Sequence, residues 1–191
     1  MPEVSFSRMI DGTPADYKLL AELEQDHVST LPNRILKSLK GLADGLVGYK
    51  IDRLQHSLQS ATRAEADGAS LDWIVAALVH DIGDELAPMN HSEFAASLLR
   101  PYVSEEITWV IEKHGLFQSY YYAHHLGMDR NGRVRYRNHP YYDACVRFCE
   151  RWDQASFDPD YPTKPLEYFA PMVHEVFSRP VSFDSSTGAD S

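Results

Sequence analysis

The chain has 191 residues, 18 Lys and Arg against 28 Asp and Glu (formal charge −10), 43% hydrophobic residues and nine His. One domain of ordinary globular composition is expected, burying about 70% of the extended chain's surface on folding. The acidic balance disfavours nucleic acid as a partner, since that needs clustered cations, and the longest apolar stretch, Leu71 to Val79, is too short to cross a membrane.

Met1 to Ile10 lacks the basic start and apolar core of a signal peptide. The two cysteines, Cys145 and Cys149, stand at helical spacing and read as buried, reduced thiols, which fits a cytoplasmic protein. Thr13-Pro14-Ala15-Asp16 reads as a helix start, with a Thr cap, Pro in the first turn and an acid at the positive end of the helix dipole. Leu19, Leu20 and Leu23 line one face of the helix that follows. A second helix is expected over 33–46, with Leu36, Leu39 and Leu42 facing inward. Gly45 and Gly48 then interrupt the chain, and a third helix covers about 50–66, closed by Gly68.

Ser70 can cap the next helix. Its body, Trp73 through Val79, is apolar almost all the way round, which marks a central buried helix. Further helices fit 92–99, 104–113, 118–125, 139–154 and 166–177. The stretch 127–137 is polar and glycine-containing, a loop with room for a small hairpin, and 157–165, with three prolines, is an ordered but irregular connection. The expectation is an all-α protein, with N-terminal helices (1–47) packing on a core (48–179) and a flexible tail (180–191).

The central helix ends in Leu78-Val79-His80-Asp81-Ile82-Gly83-Asp84. An imidazole and a carboxylate side by side at such a position are costly to bury without a partner. A metal cation removes that cost, pairing with the carboxylate and accepting a neutral imidazole lone pair. Taken alone, the dipeptide is explained equally well by a capping Asp beside a solvent-facing His. It is not alone: His56 lies 24 residues earlier on the neighbouring helix, and His91 ten residues after Asp81. His114 stands at an expected helix end before Gly115, and Asp153 sits in Glu150-Arg151-Trp152-Asp153-Gln154. Helical bundles assemble metal sites in this way, from side chains on facing helices.

His56, His80-Asp81 and Asp153 resemble the defining ligands of the HD-domain superfamily, and the resemblance runs over about 49–179. With His91 and His114 added, the pattern is similar to members that bind two metals. The resemblance implies an HD-domain helical bundle with a dinuclear site in its core. His56, His80 and Asp153 would hold one metal, His91 and His114 the other, with Asp81 bridging; a carboxylate suits that role because it offers two oxygens.

Two reaction classes follow from the resemblance. Most HD-domain proteins are phosphohydrolases acting on nucleotides or other phosphate esters. A smaller branch comprises mixed-valent Fe(II)/Fe(III) oxygenases, among them myo-inositol oxygenase and small bacterial enzymes that cleave the carbon–phosphorus bond of hydroxylated aminophosphonates. The chain's size, the segment 48–58, the stretch 147–154 and the 24-residue spacing from His56 to His80 are similar to that branch. Asp84 stands where many phosphohydrolases carry a Lys, and an anion there repels phosphate. Myo-inositol oxygenase itself has Lys at that position, so it does not separate the branches. The implied function is a diiron oxygenase that uses O2 for C–C or C–P cleavage of a small hydroxylated substrate, a polyol or a hydroxylated aminophosphonate. The ligand types accept Mn, Co or Zn as well as Fe. The alternative is a metal-dependent phosphohydrolase. A non-catalytic HD module that binds a nucleotide or regulatory ligand has no physical need for six buried ionisable groups.

Tyr49, seven residues before His56, is the candidate for the Tyr or Glu that occupies an iron in the phosphonate-cleaving oxygenases, although a packed tyrosine explains it as well. Lys113, beside His114, and Arg151, near Asp153, are the candidate substrate-binding cations, but neighbours on a helix point about 100° apart. Nine of the eleven tyrosines follow residue 100, including Tyr120-Tyr121-Tyr122 and Tyr141-Tyr142. A tyrosine-lined pocket suits a polyol or a quaternary ammonium group, with core packing the plainer explanation. His27, His124, His125 and His174 read as surface residues, and His139 as a supporting or surface one.

Overall fold

The computed structural model describes residues 2–181, so 182–191 of the expected tail lie outside the described residues. Eight α-helices follow in chain order: α1 (Pro14–Ser29), α2 (Leu31–Gly41), α3 (Arg53–Ala66), α4 (Leu71–Val79), α5 (His91–Leu99), α6 (Glu105–Tyr122), α7 (Tyr142–Phe148) and α8 (Leu166–Phe177). Among the described residues there is no strand, and no helix is long and apolar enough to cross a membrane.

The start of α1 is as expected: Asp16 N–H donates to the Thr13 hydroxyl at 3.3 Å and Thr13 N–H donates back to the Asp16 carboxylate at 2.9 Å. Its apolar face, however, does not reach the core. Leu19 and Leu20 are half-buried and Leu23 is exposed, because α1 packs chiefly on α2 and stands off the rest of the molecule. Helix α2 begins two residues before the expected start, and its inward row is Ile35, Leu39 and Leu42 rather than one through Leu36. The chain leaves the helix at Gly41 through a 3-10 turn, Leu42–Asp44.

Helices α3 and α4 form the centre. Asp52 caps α3, accepting from Gln55 N–H at 2.7 Å, and Ser57, Ser60, Ala61 and Ala64 are small enough for α4 to lie close against it. Ile74 through Val79 on α4 are all buried, as a helix apolar on every side must be.

The largest departure concerns α6. Sequence places a break at Gly115, yet one helix runs from Glu105 to Tyr122. A Cβ on Gly115 would lie 2.8 Å from the Ser92 hydroxyl and 3.7 Å from His91 Nε2. The glycine is there so that α5 can cross closely, and His114 is consequently a mid-helix residue. Gly83 has the same role in the turn after α4, where a Cβ would meet His91 Cα at 2.9 Å. The expected helix over 139–154 starts at Tyr142 and widens after Phe148 into a π-turn, Cys149–Asp153. The Cys149 thiol donates to His114 O at 3.5 Å, tying that turn to α6. The loop 127–137 holds a 3-10 turn, Gly132–Tyr136, and no hairpin.

Candidate metal centre

Four helices and the π-turn aim six side chains at one point. His56 projects from α3, His80 and Asp81 follow the last residue of α4, His91 opens α5, His114 lies mid-α6 and Asp153 ends the π-turn. Five of the six are at most 3% exposed, while the side chain of His91 is 26% exposed.

Three imidazoles are oriented by backbone carbonyls. The Nδ1–H groups of His56, His80 and His114 donate to Ser156 O (2.8 Å), Ala77 O (2.7 Å) and Ile111 O (2.6 Å). With the proton committed to Nδ1, each neutral ring turns its Nε2 lone pair inward, the tautomer a metal ligand needs. The inward nitrogens crowd together: His56 Nε2 and His80 Nε2 are 3.1 Å apart. Two such lone pairs can share only a proton or a cation.

Asp81 divides the site. Its Oδ2 lies 3.2 Å from His56 Nε2 and 3.1 Å from His80 Nε2, whereas its Oδ1 lies 3.4 Å from both His91 Nε2 and His114 Nε2. Asp153 Oδ1 is 3.3 Å from His56 Nε2 and accepts from the Gln118 amide at 2.9 Å. Asp153 Oδ2 is buried with no hydrogen-bond partner. A buried carboxylate with Oδ1 against inward imidazole nitrogens and Oδ2 orphaned suits a cation. Three overlapping groups meet the geometry for holding metal ions: His56/His80/Asp81, His80/His114/Asp153 and Asp81/His91/His114. The six residues chosen from sequence are thus brought together, and the arrangement is consistent with a dinuclear site.

The electrostatics of the metal-free centre agree. Burial opposes a charged His80, but Asp81 and Asp153 outweigh it and push its pKa up to about 10. His56 is raised in the same way, against burial, by Asp153 and Asp81. Burial would raise Asp81 and Asp153 too, yet the imidazoles hold both below the usual carboxylate range. Positive charge is wanted at this point, and without metal the imidazoles supply it as protons.

A pocket of about 740 Å³ opens onto the centre, reaching His56, Asp81, His91, His114 and Asp153. Phe157 stacks on His56 with ring centroids 4.3 Å apart, and Tyr49 stacks on Phe157 at 4.9 Å. Tyr49 lines the pocket as a half-exposed outer layer, and Tyr121 and Tyr122 line it as well. Lys113 does not line it. The ammonium pairs with Glu112 at 2.5 Å, because His114 takes the inward position on α6 and its neighbour turns away. Arg151 is likewise held elsewhere, on Asp67 at 2.7 Å. His27, His124, His125 and His174 are exposed, and His139 stacks flat on Trp109.

Three pocket residues escaped the sequence reading. Arg53 pairs with Asp81 and, at 2.7 Å, with Asp84, so the charge of Asp84 is already offset and its expected repulsion of phosphate is blunted. Gln118 holds Asp153. Helical spacing could have found both, since Arg53 is three residues before His56 and Gln118 four after His114. Phe157 lies in an irregular connection, where no periodicity points to it.

Comparison with known sequence families gives a match to the HD domain over residues 53–154, a span that takes in all six side chains of the centre. Comparison with curated proteins gives no match.

Proposed function

The chain belongs to the HD-domain family, and from that premise we propose that it is a metal-dependent enzyme with a dinuclear centre, acting as an oxygenase on a small hydroxylated organic substrate. The observation that carries the dinuclear reading is the division of Asp81, one oxygen facing His56 and His80, the other facing His91 and His114. His56, His80 and Asp153 would hold one cation and His91 and His114 the other. When bound, a redox-active pair such as Fe(II)/Fe(III) supplies Lewis acidity and a route for electrons to O2.

The protein's own groups do the positioning. Carbonyl bonds to Nδ1 hold the imidazoles ready, so little reorganisation accompanies binding. Gln118 fixes the Asp153 carboxylate, and the Phe157–Tyr49 stack keeps water off one face of His56. Tyr49, Tyr121 and Tyr122 with Asp84 and Glu85 give the pocket aromatic faces and many acceptors. Such a lining suits a ligand that presents hydroxyl donors. Among the described residues Arg53 is the one Lys or Arg that lines it, and its guanidinium is engaged by two carboxylates. A phosphate ester must draw it away from them, and that favours the oxygenase.

Arg53 also supports a second reading. If cations take over Asp81, its guanidinium stands beside the centre as a phosphoryl anchor, as a phosphohydrolase requires. Electron paramagnetic resonance of anaerobically prepared, partly oxidised iron protein separates the two. A coupled Fe(II)/Fe(III) signal that polyols or hydroxyphosphonates perturb, with O2 uptake, is expected. No such signal, together with Mn²⁺-dependent phosphate release from nucleotides, overturns the oxygenase.

A further inference from the structure

Arg130, Arg133, Arg135 and Arg137 fall within eight residues of a chain whose net charge is −10. They ride on the 3-10 turn Gly132–Tyr136 and its approach. Arg135 and Arg137 are exposed, Arg135 with its guanidinium carbon 5.0 Å from the centroid of the Tyr136 ring, whereas Arg130 and Arg133 are half-buried. Their guanidinium carbons lie 3.9 and 3.6 Å from the centroid of one ring, that of Tyr120 on α6.

Two like charges on one aromatic ring repel, and such a pair ordinarily shares a carboxylate. Here, among the described residues, none of the four arginines pairs with an acid, although Arg8, Arg53, Arg100, Arg151 and Arg179 all do. Arg130 Nε and Arg133 Nη1 are moreover buried with no acceptor. Their remaining guanidinium nitrogens are not among these buried atoms and pair with no carboxylate, and it is these solvent-reached N–H groups that suit a bidentate oxoanion. Tyr120 holds both arginines in place by stacking, and Arg133 also reaches the Tyr121 hydroxyl, whose ionised form it favours against burial. The ring of Tyr121, which lines the pocket of the metal centre, stands at 90° to that of Tyr120 with centroids 5.5 Å apart. The basic site and the pocket therefore lie side by side on α6, with Arg133 reaching Tyr121 of the pocket lining.

We propose that Arg130 and Arg133, clamped on Tyr120, form a binding site for the phosphoryl group of a small molecule, separate from the metal centre. The inference is independent of the reaction catalysed at that centre.

Calorimetric titration with inorganic phosphate at low ionic strength tests it, on the protein as purified and after chelator treatment. One phosphate per chain is expected in both states. Arg130→Gln/Arg133→Gln should weaken binding at least tenfold, while Arg135→Gln/Arg137→Gln, which removes as much charge, should change it less than twofold. Equal losses in the two double variants would mean a diffuse basic surface and overturn the site. So would binding that needs the metals, or that is lost in Arg53→Gln and kept in Arg130→Gln/Arg133→Gln. Should the first double variant misfold, nuclear magnetic resonance of the unaltered protein decides. Phosphate should shift the side-chain Nε–H signals of Arg130 and Arg133, and unmoved signals at saturating phosphate overturn the proposal. Ribose 5-phosphate serves to distinguish the source: tighter binding than inorganic phosphate supports a phosphomonoester as the ligand, and equal binding supports the free anion.

Discussion

Asp16 and Asp81 are both buried acids, 7% and 3% exposed, yet their surroundings differ in kind. The Asp16 carboxylate accepts from Ser5 N–H (2.8 Å), Thr13 N–H (2.9 Å), the Thr13 hydroxyl (2.6 Å) and the Ser5 hydroxyl (3.0 Å). Donors from its own helix start and from Ser5 in the N-terminal segment satisfy it completely. Asp81 and Asp153 have one guanidinium, one amide and no backbone N–H, and otherwise face imidazole nitrogens whose ring protons are committed to carbonyls. Burial of an acid is therefore not what marks a metal centre. The mark is a carboxylate whose neighbours are also lone-pair donors.

The largest effect expected from this contrast is on metal content. Asp81→Ala removes the oxygens that face both pairs of imidazoles and should take the protein from near two metals per chain to near none. Asp16→Ala, equally an excision of a buried acid, should leave the content unchanged. Elemental analysis of both variants checks this, and full occupancy in Asp81→Ala breaks the contrast outright.

Next comes stability. Each metal that binds only the folded chain stabilises it by about 2.7 kcal/mol at a free concentration one hundred times Kd, so two contribute about 5 kcal/mol. For a chain of this size that corresponds to a Tm lower by about 10–20 °C after chelation. The drop should be the same in Asp16→Ala and absent in Asp81→Ala, as calorimetry would show. A chelator-induced drop retained by Asp81→Ala would place the stabilising metal elsewhere.

A finer division lies within the centre. His91 is its most exposed member, and its Nδ1 reaches Pro88 O only at 3.5 Å, far looser than the 2.6–2.8 Å bonds behind His56, His80 and His114. His91→Ala should lose one metal and keep the other. Loss of both would show that the two halves do not bind independently.

What the sequence made legible follows the same physics. The all-α fold and the central α4 were readable because a helix apolar on every side admits one placement, and His80-Asp81 was readable only together with His56, His91, His114 and Asp153, since a capping Asp explains the dipeptide alone equally well. Helix α6 was not, since a glycine between two periodic segments looks like a terminator when its role is to admit Ser92. The π-turn before Asp153 has no period to detect. Lys113 was chosen for nearness in sequence, and on a helix nearness by one residue means pointing elsewhere. Arg53 and Gln118, one turn from His56 and His114, were the residues that helical geometry actually offered.

The smallest effect belongs to Asp16 and is one of pH. The Thr13 hydroxyl first, then Ser5 and Thr13 N–H, hold its pKa below the ordinary carboxylate value. On acidification the unfolded segment therefore takes up a proton before the folded one does. The contribution of the cap is complete above about pH 5 and drains as the pH falls through about 4 and below. Amide exchange at Ser5 and through the first turn of α1 should speed up, relative to α4, between pH 6 and pH 3. Asp16→Asn keeps an acceptor but cannot titrate, so its protection should be weaker at pH 6 and nearly flat with pH. An equal slope in both proteins would mean that the acid sensitivity of α1 comes from another group, and the self-sufficient cap would no longer stand as the counterpart of the metal centre.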